Sequence, residues 1–379
     1  MILPDATLGV LGGGQLGRMF TFAARSMGYE VVVLDPDPHS PAGAIADQHI
    51  EADYHDHAAL QLLGSTCSAV TTEFENVPAD SLRHLERLCP VRPSSAAVAI
   101  CQDRIQEKGF LREHGLATAP FQPVFEAAEL DDAVRALAPP LLLKTAAFGY
   151  DGKGQMEVTD VETARAAFEA LGDGPCVLEE KVDLALELSV VLARGVDGAM
   201  VSWPAAENRH VGGILDTTLV PARIPAATAD QATRMARAVA AALDYIGVLA
   251  VEFFLTRDGE LLVNEIAPRP HNSGHYTVDA CLTSQFEQQV RMLCGLPAGD
   301  TRLLSPVVMV NLLGDLWRDG EPPPWDAILA HPQAKLHLYG KRHARPGRKM
   351  GHCNCLADDL EAAERIAEEI RRTVANSSE

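Results

Sequence analysis

Apolar residues along the chain recur in two rhythms, the two-residue alternation or short continuous run of a strand and the three-to-four-residue spacing of a helix. Thr7–Leu11 reads as a strand, the stretch to Met27 as a helix, and Glu30–Leu34, ending at Asp35, as a second strand. Ala69–Thr72 is another strand, followed by a helical pattern over 79–89 and a Pro-rich linker over 89–93. Further on, 102–114 is a charged helix that shows Asp103, Arg104, Glu107 and Lys108, a composition common on surface helices. Residues 120–123 are extended, 139–144 form a strand ending in Lys144, and 161–171 form a helix. A strand over 176–182 and alternation over 187–193 follow, then an Ala-rich helix within 225–245 and a helix over 281–294. Strands at 306–312 and 335–339 and a tail helix from Asp358 complete the pattern.

The most informative stretch is 249–276. Two apolar, β-prone runs flank Asp258-Gly259, a hairpin signal. With a two-residue turn there, Arg257 faces Glu260, Leu255 faces Leu262, and Glu252 faces Glu265. Carboxylates in directly opposed positions repel, with β-carbons only about 5 Å apart. A cation between them would relieve this, and all-oxygen ligands suit Mg²⁺ shared with nucleotide phosphates. Two solvated glutamates on an exposed face would give the same pattern. Arg269, His271, Asn272 and His275 follow in a Pro- and Gly-broken loop, the kind of segment on which a rigid sheet presents binding groups.

Elsewhere the chemistry is scattered. Gly12-Gly13-Gly14-Gln15-Leu16-Gly17 follows the first strand and precedes a helix, with Asp35 about 20 positions on, which matches a dinucleotide fingerprint. Glycine turns in doubly wound domains also serve other phosphates or close packing, and Gln15 with Arg18 suits an oxygen-rich substrate. Glu73, Glu75 and Asn76 lie at the carboxyl end of a strand, where open α/β sheets bind ligands. Residues 149–155 hold three glycines and Lys153. Such a loop can wrap phosphate with its N–H groups, although the Walker pattern is absent. Glu179 and Glu187 could bond an adenine amino group or a ribose, or be surface charge. Five Lys or Arg residues fall within nine positions at 341–349, a solvated turn or a phosphate grip.

Composition narrows this further. The chain has 379 residues, enough for two or three domains, with 47% hydrophobic and 22% charged residues. A net charge of −20 argues against non-specific nucleic-acid binding. No apolar run is long enough to cross a bilayer, and the first residues lack the basic region of a secretory signal. Eight cysteines without framework spacing fit a reducing cytoplasm. Cys353 and Cys355 beside His352 are the one weak hint of a metal cluster.

Taken together, the segments at 12–19, 73–77, 149–155, 264–275 and 345–352 resemble those of the ATP-grasp ligases. Within that superfamily the chain resembles the 5-(carboxyamino)imidazole ribonucleotide synthase family of purine synthesis. The resemblance implies an ATP-grasp fold, α/β and α+β in class. It would have an N-terminal doubly wound pre-ATP-grasp domain (1–100), an ATP-grasp domain (101–298) and a small β-rich C-terminal domain (299–379). It implies carboxylation of aminoimidazole ribonucleotide with bicarbonate and ATP, through carboxyphosphate, by a cytoplasmic homodimer that needs neither nucleic acid nor membrane. ATP phosphates would meet Arg104, Lys144 and the loop Gly149, Tyr150, Asp151, Gly152, Lys153, Gly154 and Gln155. Adenine would meet Glu179, Glu180, Lys181 and Val182, and the ribose Glu187, with His210 and Asn264 also lining the nucleotide. Glu252 and Glu265 would hold Mg²⁺, or Mn²⁺ in its place. Arg269, His271 and Asn272 would hold bicarbonate, with Lys153 also catalytic. Gln15, Leu16, Glu75, Tyr150, Asp151, Lys341 and Arg348 would bind the ribonucleotide; the part played by Arg342 is open. A formate-dependent glycinamide ribonucleotide transformylase, a nicotinamide-dependent oxidoreductase and a non-catalytic nucleotide-binding regulator are the rival readings.

Overall fold

The computed structural model describes residues 1–147, 149, 154–318 and 320–376. Tyr150, Asp151, Gly152 and Lys153 lie outside the described residues. Three sheets carry the fold. The first is parallel and is built from β1 (Thr7–Leu11), β2 (Glu30–Leu34), β3 (Gln48–Ile50) and β4 (Ala69–Thr72) in the order β3-β2-β1-β4. Helices at Gln15–Ser26 and His57–Thr66 connect its strands. β1, β2 and β4 are almost wholly buried, which is why they read as short apolar runs, whereas the edge strand β3 is partly exposed.

A second, antiparallel sheet comprises β5 (Phe121–Val124), β6 (Leu141–Thr145), β7 (Gln155–Val158) and β8 (Cys176–Glu180), ordered β5-β8-β6-β7. The third holds nine antiparallel strands. These are β9 (Leu184–Arg194), β10 (Met200–Ser202), β11 (Ala206–Val211), β12 (Ile214–Val220), β13 (Gly247–Thr256), β14 (Leu261–Ala267), β15 (Val307–Leu313), β16 (Ala334–Leu338) and β17 (Lys349–Leu356). Its order is β14-β13-β9-β11-β12-β15-β17-β16, with β10 paired to β9. The sheet thus runs across the boundary placed at residue 298: β12 pairs with β15 from Thr217↔Val310 to Val220↔Val307. The C-terminal strands extend the ATP-grasp sheet, and the amphipathic helix Leu360–Asn376 covers them.

Helix Ala226–Ala242 packs small alanines against β9 and β13, building a core with Leu192, Val239, Leu249 and Phe253. Helix Gln285–Cys294 sends Phe286, Val290 and Leu293 into the core of the first sheet and so locks that domain to the large sheet. The charged helix departs from its sequence reading. It spans Arg104–Glu113 and Asp103 caps it, but Glu107 and Lys108 are buried, 2% and 1% exposed. It lies between the second and third sheets, where each of these charges has a partner.

Gly314 follows β15 and fixes the basic loop. Its N–H donates to Arg348 O at 2.8 Å, and a Cβ there would come within 2.2 Å of Arg345 O. Because the obstacle is backbone, Gly314→Ala is expected to displace residues 345–348 and to cost about 1–3 kcal/mol in urea unfolding. Wild-type stability would refute the close approach.

Candidate active site

The hairpin behaves as expected at its far end, but by an unexpected route. The turn has three residues rather than two: Thr256 N–H donates to Glu260 O, and Gly259 takes φ +84°. Leu255 therefore pairs with Leu261, not Leu262, and Arg257 does not face Glu260 across a two-residue turn. Three-residue loops with a left-handed glycine are a common alternative hairpin. A β-bulge then inserts Asn264 between Val263 and Glu265, and the register returns to Glu252↔Glu265. The bulge also has a consequence for chemistry. Successive strand residues normally point to opposite faces, but here Asn264 and Glu265 both line the same cleft.

That cleft is about 880 Å³ and lies where all three sheets meet. The face of β9, β11, β13 and β14 forms one wall and brings Glu187, His210, Glu252, Asn264 and Glu265 together. Burial, then the charge of Glu265, pushes the Glu252 carboxyl up to about 7. His271 Nε2 lies 3.4 Å from Glu252 Oε1. Burial and the Arg269 and Lys349 charges hold His271 well below the usual imidazole range, so it is neutral. His210 hydrogen-bonds Glu187; burial opposes its protonation, but that bond and the Glu252 charge raise its pKa. Arg104 reaches Glu265 at 3.3 Å.

The two carboxylates face each other across β13 and β14, an all-oxygen pair that suits a hard divalent cation. No cage of three or more His, Cys, Asp or Glu side chains is found among the described residues.

The second sheet supplies Lys144, Lys181 and Val182 to the cleft, with Gly149 and Gln155. Adenine contact was expected from Glu179 to Val182, but the Glu179 and Glu180 side chains do not line it. Glu179 is buried against Lys108 and Lys144, and Glu180 accepts the Ala138 N–H. Gly154 also stays off the cleft lining; its carbonyl accepts the Thr145 N–H and its φ is +73°.

The carboxyl ends of β1, β2 and β4 close the other side with Gln15, Leu16, Asp35, Glu73 and Glu75. Gly13 N–H donates to Asp35 Oδ2 at 2.6 Å, and Gly14 and Gly17 donate to Glu73 at 2.5 and 2.7 Å. The amides that would cradle a dinucleotide pyrophosphate are thus held by the protein's own carboxylates, which argues against nicotinamide binding through this turn. Glu75 pairs with Arg269, and despite burial that pairing keeps the guanidinium charged. Lys341 Nζ donates to Gln15 Oε1 at 2.5 Å, and Arg348 stands nearby.

Asn272 lines the cleft, yet its amide is engaged in a reciprocal pair with Asn311 at 3.0 and 2.7 Å. It therefore clips the loop after β14 to β15. His275 is buried, off the cleft lining, 3.1 Å from Gln285. Cys353 and Cys355 point into the apolar core under the terminal helix, while His352 bonds Tyr339 at 2.9 Å, so the three do not form a metal cluster.

Three families cover most of the chain. The ribonucleotide synthetase preATP-grasp domain matches residues 5–102, the ATP-grasp domain residues 109–286, and the phosphoribosylaminoimidazole carboxylase C-terminal domain residues 307–366. The chain is 46% identical over 352 residues to N5-carboxyaminoimidazole ribonucleotide synthase of Bacillus subtilis, covering 93% of this chain and 92% of the relative. The chain belongs to the N5-carboxyaminoimidazole ribonucleotide synthase family.

Solved members of that family agree in fold. An ADP complex of N5-carboxyaminoimidazole ribonucleotide synthetase has a TM-score of 0.92 and 42% identity, over 100% of this chain and 98% of that one. The synthase of Aspergillus clavatus, in complex with ADP and 5-aminoimidazole ribonucleotide, has a TM-score of 0.89 and 33% identity, over 98% of both chains. Against this background several cleft residues stand out that sequence reasoning passed over: Asp37, Asn208, Arg345 and Lys349. Arg345 and Lys349 belong to the basic cluster already noted. Asp37 and Asn208 carried no local signal beyond their polarity.

Glu107 is the least visible contributor. Its Oε1 accepts the Ile266 N–H at 2.6 Å, one residue past Glu265, and so secures the bulged strand. Burial, then Glu265, pushes its carboxyl up to about 8 from 4.5. The folded protein therefore holds a proton that the unfolded chain releases above pH 4.5. The stability this gives is complete below that pH and is lost as pH rises through 8. Glu107→Gln keeps the acceptor and removes the titration. In chelator-treated protein it should gain roughly 3–5 kcal/mol over wild type at pH 9 and little at pH 4.5. Urea unfolding at both pH values checks this; an equal difference at both would exclude the buried proton.

Proposed function

We propose that this cleft carries out the reaction of its family, the ATP- and bicarbonate-dependent carboxylation of 5-aminoimidazole ribonucleotide in purine biosynthesis. The chain is an ATP-dependent carbon–nitrogen ligase. The observation that carries the reading is the pairing, in one cleft, of a carboxylate pair backed by Arg104 and Lys144 with a separate basic pole at Lys341, Arg345 and Arg348. A triphosphate and a ribonucleotide monophosphate thus each have a place.

The chemistry runs in two displacements. A bicarbonate oxygen bonds to the γ-phosphorus of ATP as the β,γ bridging bond breaks, and the electron pair leaves with ADP. The exocyclic amine of the ribonucleotide then attacks the carboxyl carbon of carboxyphosphate. Phosphate departs with the C–O electron pair, and the amine loses a proton. Phosphoryl transfer of this kind needs positioning and charge neutralisation more than a protein nucleophile.

Arg269, kept charged by Glu75, orients bicarbonate. Neutral His271 accepts the Ser273 N–H at Nδ1, which leaves Nε2–H to face Glu252 and the bicarbonate. Lys144 and Arg104 meet the nucleotide's phosphates; Lys181 and Val182 border the base, and Glu187 with His210 the ribose. Glu252 and Glu265 would hold Mg²⁺, which when bound offsets phosphate charge. Gln15, Lys341 and Arg348 take the ribonucleotide. The homodimer and the cytoplasmic location belong to the same reading and draw on the family resemblance; light scattering tests the first.

The deciding assay is ADP release with bicarbonate or formate, with and without aminoimidazole ribonucleotide. Turnover with bicarbonate and the ribonucleotide is expected, and turnover with formate instead would favour the sister transformylase. Glu265→Gln should lower kcat by at least about a hundredfold with an unchanged circular dichroism spectrum. Near-normal turnover would refute the metal assignment. Arg348→Ala should raise the ribonucleotide KM by about tenfold or more and leave the ATP KM within about twofold. Equal loss on both substrates would show that the basic pole is misassigned.

A further inference from the structure

One layer behind the cleft wall, two lysines share a buried carboxylate. Glu179, on β8, is 1% exposed. Its Oε2 accepts a hydrogen bond from Lys144 Nζ at 2.9 Å, and its Oε1 lies 3.2 Å from Lys108 Nζ. Lys108 is 1% exposed, and its ammonium lies 5.9 Å from the Phe121 ring. The 3.2 Å contact is not aligned as a hydrogen bond. What Lys108 offers Glu179 is chiefly charge.

The two lysines differ in outlook. Lys144 borders the cleft; Lys108 does not. An anion in the cleft would draw on the same Lys144 ammonium that Glu179 holds. Had Glu179 only that partner, its loss would strand a buried carboxylate, which is strongly destabilising. With Lys108 behind it, Glu179 keeps a counter-ion whichever way Lys144 turns. Although burial raises the Glu179 pKa, Lys108 and then Lys144 outweigh it, so the carboxyl stays ionised. Burial lowers the Lys144 pKa, Glu179 opposes that, and Lys108 and Arg104 add to it.

We propose that Lys108 is a positioning residue: by holding Glu179 from behind, it frees the Lys144 ammonium to bind the phosphates of the nucleotide. This rests on the reading of Lys144 as a phosphate ligand, which Lys144→Met tests separately. That variant should lose ADP affinity, and wild-type binding of ADP by Lys144→Met would overturn the reading and this proposal with it.

The proposal itself is tested by calorimetric titration of ADP with Mg²⁺ into the full-length protein. Lys108→Met should weaken ADP binding by about tenfold or more, because Glu179 then retains Lys144. The ATP KM should rise in parallel while kcat changes little, since Lys144 would grip phosphate in ground and transition states alike. In a Glu179→Gln background the same Lys108→Met change should alter ADP affinity by no more than about twofold, because no buried carboxylate is left to compete.

A lower melting temperature for Lys108→Met with unchanged ADP affinity would overturn the proposal and leave Lys108 a packing residue. A tenfold loss that persists in the Glu179→Gln background would also overturn it, by showing that Lys108 acts on the nucleotide without Glu179. Should Lys108→Met not fold, Lys108→Met/Glu179→Gln against Glu179→Gln decides alone, since it buries no unpaired carboxylate. Near-equal affinity there supports the proposal.

Discussion

Two carboxylates that repel each other set the terms for the rest of the structure. Glu252 and Glu265 face one another across β13 and β14. Carboxylates so close are tolerable only where protons or cations offset them, and the protein provides both. Arg104 sits on Glu265, and Glu252 keeps a carboxyl raised to about 7 beside a neutral histidine. What the pair still lacks is positive charge, which a divalent cation would supply. Because the pair stands on two strands of a nine-stranded sheet, its spacing is fixed by backbone hydrogen bonds.

The short helix Arg104–Glu113 serves that pair from behind. Arg104, Glu107 and Lys108 fall on one helical face and meet two strands: Glu265 and the Ile266 N–H on β14, and Glu179 on β8. One helix turn therefore joins the bulged strand of the third sheet to the central strand of the second. Burying two ionised or ionisable side chains there costs solvation, and each is partnered, as buried charges generally must be.

Similar economy holds the loops that line the cleft. Gln285 receives the His271 N–H at 2.8 Å and donates to the His271 carbonyl at 2.7 Å, while Ser273 meets Ser189 at 2.7 Å. Asn272 and Asn311 tie the same loop to the C-terminal strands. The C-terminal region is thereby bonded to the loop after β14 as well as to the sheet, which holds the basic residues at 341–349 opposite Gln15 and Glu75. At the N-terminal domain, Asp35 and Glu73 occupy the glycine-turn amides and convert a dinucleotide-like motif into a rigid rim of the cleft.

Much of this was written locally in the chain. Alternation and apolar runs located β1, β2, β4, β13 and β14, because strand period and burial act on neighbouring residues. The opposition of Glu252 and Glu265 was legible as well, although a longer turn and a bulge had to cancel for the simple count to succeed. The polar motifs at 264–272 and 341–349 marked the cleft, since residues needed for chemistry escape the apolar pattern. Tertiary structure alone decided the rest. It buried Glu107 and Lys108, which look like surface charges in sequence, and set the Glu179 side chain against two lysines. It merged the C-terminal strands with the ATP-grasp sheet and filled the glycine turn with Glu73, 59 positions away from Gly14. Those outcomes depend on which distant charge or backbone amide a side chain meets, and that is set by packing between elements rather than by the period within one.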